Sequence, residues 1–111
     1  MELSKKDKKV AREVIETGLQ REFEAGLSKT EELLLHWRKG ECDNRESYHA
    51  VYKHVKYFDK HIARRYDGIT GSRYLLTITG QLLDDVIHEE DLVEFSKEVQ
   101  LYLKQVVKNL S

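Results

Sequence analysis

Apolar and small residues recur every three or four positions at Ile15, Leu19, Phe23, Gly26, Leu27, Thr30, Leu33, Leu34 and Trp37. That period belongs to one face of an α-helix. The stripe keeps its phase past Gly18 and Gly26, and the chain has no proline to interrupt it. Ser4 suits an N-cap, and Gly40 suits the residue that follows a helix end. The pattern predicts one helix over Lys5–Lys39, ~50 Å long at ~1.5 Å per residue. The competing parse breaks it at Ala25–Gly26 and restarts it at Ser28, which stands in capping-box spacing before Glu31.

A second, narrower line runs along the same helix through Ala11, Val14, Gly18 and Ala25. Small residues at near-heptad spacing let another helix approach closely. That neighbour is either a helix of the same chain or a second copy, so the line is a candidate dimer seam.

Downstream, Asp43 stands three residues before Glu46 and marks the start of a second helix, from about Asn44 to Tyr66. Its apolar positions are Tyr48, Val51, Tyr52, Val55, Phe58, Ile62 and Tyr66, the face expected to be buried. Gly68 ends it. A third helix is expected over about Arg73–Val86, capped by Ser72 and carrying Tyr74, Leu75, Ile78, Leu82, Leu83 and Val86. The acids Glu89, Glu90 and Asp91 suit the first turn of a fourth helix. That helix carries Leu92, Phe95, Val99, Tyr102, Leu103, Val106 and Leu110. Four amphipathic helices with short connections predict an all-α, antiparallel bundle of four helices with a long N-terminal helix.

Composition narrows the class. A chain of 111 residues reads as a single helical-bundle domain, residues 1–111. Charged residues make up 35% of it, yet the formal charge is only −1, so no global field draws it to nucleic acid or membrane. No apolar run approaches the ~18 residues of a membrane span. The start, Met1 to Lys6, is charged and leads into no apolar segment, so no signal peptide is expected. Cys42 is the only cysteine, which rules out an internal disulfide and points to the cytoplasm.

Charge is unevenly distributed. Lys53, Lys56, Lys60 and Arg64 form an outward stripe on the second helix, with His49 and Tyr57 nearby. Lysines beside an aromatic ring can contact a phosphate backbone, although an ordinary solvated face looks the same. Asp84, Asp85, Glu89, Glu90, Asp91, Glu94 and Glu98 make the corner between the third and fourth helices acidic.

Catalytic and metal signatures are weak. His54 and His61 lie two turns apart, ~10.5 Å between Cα atoms, too far to share one metal. Glu46 and His49 have the Glu-x-x-His spacing of a diiron bundle but point away from the apolar face. The Arg-x(4–6)-His pair of helical-bundle ribonucleases is absent, Arg45 and His49 being one residue too close. Asp59 falls inside the apolar face, where a carboxylate needs a cation or several donors. Glu22, at the edge of the first helix's stripe, is expected to be paired or to snorkel. No catalytic, cofactor-binding or metal-ligating residue is assigned.

The expectation is a cytoplasmic interaction or regulatory module whose partner is a protein, a second copy included, through Ala11, Val14, Gly18 and Ala25. The alternative is a nucleic-acid-binding accessory protein using Lys53, Lys56, Lys60 and Arg64. A metalloprotein or enzyme built on His54, His61 or Asp59 is the third reading.

Overall fold

The computed structural model describes all of the chain, Met1–Ser111. It is an all-α helical bundle of four α-helices, with no strand. The first, α1, is a single helix over Lys5–Arg38 and runs unbroken through Gly18 and Gly26. The Ser4 hydroxyl accepts from the Asp7 N–H at 3.1 Å at its start. Gly40, at φ +74°, turns the chain at its end, a backbone region that an L-residue avoids. Helix α2 spans Asn44–Tyr66, and the Asp43 carboxylate caps it by accepting from the Glu46 N–H at 2.8 Å.

Helix α3 covers Tyr74–Leu83 after a 3₁₀ turn at Gly71–Arg73. Helix α4 covers Lys97–Leu110. It starts later than the acidic run suggests, because Glu89–Leu92 forms a separate 3₁₀ turn. Asp91 belongs to that turn and not to α4, and its carboxylate is engaged there. It accepts from the His88 N–H at 2.9 Å and takes a two-pronged contact from Arg21 at 2.8 and 3.0 Å. The α4 cap is instead Ser96, whose hydroxyl accepts from the Val99 N–H.

The chain divides into two compact units, and α1 contributes to both. The first unit comprises Met1–Arg21 and Gly68–Ser111. It contains every buried apolar side chain of the protein: Leu3, Val10, Ala11, Val14, Ile15, Ile78, Ile87, Leu92, Phe95, Val99 and Leu103. Burying a side chain of this kind contributes about 1.5–3 kcal/mol, so this unit has a core of its own. Polar ties fix its helices. Asp7 of α1 accepts from both the backbone N–H (3.0 Å) and the hydroxyl (2.8 Å) of Ser96, which anchors the start of α4. The buried Gln81 amide donates to the Ile15 carbonyl at 3.1 Å.

The second unit, Glu22–Asp67, is a hairpin of the last part of α1 and the whole of α2. Glu22 pairs with His61 and Arg65 near the end of α2, while Trp37 donates to Asn44 at its start, so the two helices run antiparallel. No apolar side chain of this unit is fully buried.

Candidate functional site

The seam of the hairpin is polar. At one end the buried Glu22 carboxylate accepts three side chains. His61 Nε2 lies at 2.6 Å and Arg65 Nη1 at 3.1 Å from Oε1, and the Tyr66 hydroxyl donates to Oε2. Burial alone would raise the Glu22 pKa. The hydrogen bonds from Tyr66 and His61 and the charge of Arg65 outweigh that and hold it below the usual glutamate range. Glu22 is thus a satisfied anion that clasps α1 to α2.

One turn further along α1, His54 Nε2 donates to the Gly26 carbonyl at 2.9 Å, and the Phe58 ring lies against Gly26. Phe23 meets Phe58 edge-on, with centroids 6.0 Å apart. At the far end the Trp37 indole N–H donates to Asn44 Oδ1 at 2.8 Å, and Ser47 is buried.

Beside this seam lies an open apolar face. At ~100° per residue, Phe23, Leu27 and Leu34 share one flank of α1, and Tyr48, Val51 and Val55 share one flank of α2. In an antiparallel pair those flanks come to the same side. Leu34, Trp37, Tyr48 and Val51 accordingly line one groove of about 270 Å³, together with Asn44 and Ser47. Leu27 is 71% exposed, Tyr48 70%, Tyr52 57% and Val55 50%. Of the face expected to be buried on α2, Tyr48, Tyr52 and Val55 are therefore exposed, while Val51, Phe58, Ile62 and Tyr66 are half-buried. The helix contacts α1 along the neighbouring line of Ser47, His54, Phe58, His61 and Arg65.

The same shift of phase leaves Asp59 exposed rather than inside the packed surface. It also settles the small-residue line of α1. Ala11 and Val14 are buried in the first unit, and the Gln81 side chain fills the space beside Gly18. Those three positions are occupied from within the chain, so no open dimer seam runs along them, while Ala25 is exposed. Sequence periodicity marked Leu27, Leu34, Tyr48 and Val55 as apolar. The pairs among Glu22, His54, His61 and Arg65 show that the contact line is displaced to the edge of those stripes, at Gly26, Trp37 and Phe58.

The basic stripe of α2 adjoins this face on the side away from α1. Lys53, Lys56, Lys60 and Arg64 are all exposed. The three lysines share a shallow depression of about 380 Å³ with His49, Tyr52 and Tyr57. Arg64 lies outside that lining. A separate groove of about 490 Å³ in the first unit has one acid, Glu2, and one lysine, Lys8, among its lining side chains.

The histidines do not converge. His54 is bound to Gly26 and His61 to Glu22, and no three His, Cys, Asp or Glu side chains are arranged to hold a metal ion. Cys42 is a free, exposed thiol in the hairpin turn. No helix is long and apolar enough to cross a membrane. Compared with protein-family models, with curated proteins and with solved structures, the chain finds no match.

Proposed function

We propose that the protein is a small helical interaction module that docks a protein partner through the open apolar face of its α1–α2 hairpin. The observation that carries this reading is the inversion of the hairpin. Polar residues, together with Phe58 on Gly26, hold the two helices, while Leu27, Leu34, Tyr48, Tyr52 and Val55 are exposed. Outward leucines and tyrosines clustered on one side of a hairpin are the composition of an interaction surface. The first unit, with its closed core, serves as the scaffold that keeps α1 folded. The reading assigns no catalytic activity and no cofactor. It places the protein in the cytoplasm, where the exposed thiol of Cys42 stays reduced.

Photo-crosslinking tests it. A benzophenone amino acid at Leu27 or Tyr52 is expected to capture protein efficiently in cells, and one at Lys29 or Arg64 is expected to capture little. Equal capture from all four positions would contradict a docking face on this side.

One observation favours a second reading. Lys53, Lys56 and Lys60 stand together with Tyr52 and Tyr57, and Lys56 Nζ lies 6.0 Å from the Tyr52 ring centroid. Lysines interleaved with aromatic rings can hold the backbone and stack the bases of a single strand. Fluorescence anisotropy with a labelled single-stranded oligonucleotide checks this. Three phosphate contacts give a slope of about −2 in log affinity against log salt. Binding unaffected by Lys53→Glu/Lys56→Glu/Lys60→Glu, or absent at low salt, would end this reading.

A further inference from the structure

We infer that the occupant of the open hairpin face is a second copy of this chain, so that two hairpins close into an intermolecular antiparallel four-helix bundle. This rests on the docking reading above and adds the partner and its orientation.

Area supports it first. Each partner contributes ~800 Å² to a standard interface. The exposed parts of Phe23, Leu27, Leu34, Tyr48, Tyr52 and Val55 alone amount to roughly 600 Å², taking ~200 Å² for a whole aromatic side chain and somewhat less for Leu and Val. Homodimer interfaces are about 65% apolar, so a patch of this size with its polar rim reaches roughly 900 Å² per copy, a standard interface's area.

Geometry supports it next. An amphipathic two-helix hairpin with one open apolar side is half of a four-helix bundle. A two-fold axis lets the same face serve both partners, since isologous contacts are self-complementary.

Charge sets the orientation. Beyond the apolar flank, the rim of α1 carries two acids, Glu24 and Glu31, with one base, Arg38, and the rim of α2 carries two bases, Arg45 and Lys56, with one acid, Asp59. All six are exposed, and the rim of α1 is net acidic where that of α2 is net basic. A two-fold axis parallel to the helices lays α1 of one copy over α2 of the other. The net acidic rim of α1, with Glu31, then faces the net basic rim of the partner's α2, with Lys56. The alternative axis lays α1 on α1 and sets rims of like net charge against each other, which repulsion disfavours.

Sedimentation equilibrium of the purified full chain is the test. A dimer, twice 13.1 kDa, is expected at micromolar concentration. Leu27→Asp is expected to weaken it about ten-fold or more, because a charge enters the centre of the face. Leu27 is highly exposed, so this variant leaves the core of the first unit untouched. Glu31→Lys and Lys56→Glu are each expected to weaken dimerisation a few-fold, and the double variant is expected to recover affinity. A chain that stays monomeric at several hundred micromolar would overturn the second copy as occupant. If Leu27 and Tyr52 still crosslinked to a different protein, the docking reading would stand without this inference. A dimer in which the double reversal recovers nothing would overturn the α1-on-α2 orientation.

Discussion

Phe58 takes the place of the side chain that Gly26 lacks: a Cβ on Gly26 would stand 2.7 Å from two carbons of the Phe58 ring. Gly18 plays the matching role in the first unit, where a Cβ would meet the Gln81 amide nitrogen at 2.1 Å. The two glycines answer differently to substitution. Gly26→Ala pushes on the far edge of a half-buried ring, and the better helix propensity of alanine offsets about 1 kcal/mol of the cost. Its net effect is expected within about 1 kcal/mol of zero. Gly18→Ala displaces a buried amide that donates to the Ile15 carbonyl, with an expected net loss of about 1–2 kcal/mol. Urea unfolding of both variants checks the order. Gly26→Ala as the more damaging of the two would contradict it.

Glu22 joins the hairpin helices through three donors, so its removal exposes their need for it. Glu22→Ala leaves the largely buried guanidinium of Arg65 without this carboxylate. Full burial of such a pair would make the loss about 3–5 kcal/mol. His61 is partly exposed, and solvent screening lowers the expected loss to about 2 kcal/mol. Tyr66→Phe removes one neutral donor and is expected to lose about 1 kcal/mol. Thermal melting of the two variants measures both. An unchanged melting temperature for Glu22→Ala would show that the clasp does not hold the helices.

Acid should weaken the protein, and the sign follows from three carboxylates. Burial would raise the Glu22 pKa, but its hydrogen bonds and Arg65 depress it below the ordinary 4.5. Asp7 is likewise held below 3.8 by Ser96 against its burial. Asp91 is held below 3.8 mainly by the hydrogen bond from Arg21. A depressed folded-state pKa contributes stability that is present above the unfolded value and lost as pH falls through the folded one. These groups therefore contribute fully near neutrality, and their contribution falls away as pH drops below about 4.5. Melting temperature measured from pH 6 to pH 2.5 should decline through that window. A smaller decline is expected for Glu22→Gln. A melting temperature that rose on acidification there would contradict the assignment.

Much of the fold was legible because it rests on local signals. The phase of the α1 stripe through Gly18 and Gly26, the Asp43 cap and the turn at Gly40 are set by residues within a few positions of one another. The start of α4 was not legible, because Asp7 and Arg21 act on Ser96 and Asp91 from the other end of the chain. The docking face was half legible. Periodicity shows which positions are apolar but not which of them are covered. In α2, Tyr48 and Val55 satisfy the rule for a buried face and His54 and His61 do not. The choice is made by donors on α2 that reach Glu22 and the Gly26 carbonyl on α1. Of the small line Ala11, Val14, Gly18 and Ala25, the first three are buried, with Gln81 beside Gly18, and Ala25 is exposed.

Amide hydrogen exchange of α2 as a function of protein concentration tests the central claim most directly. A second copy bound over Leu27, Leu34, Tyr48 and Val55 stabilises the hairpin by mass action, because it binds only the folded form. Protection of residues 48–58 is expected to rise with concentration from the low-micromolar to the high-micromolar range. Residues 99–106 of α4, in the core of the first unit, should keep a constant rate. Exchange in α2 that is independent of concentration over that range would contradict the account.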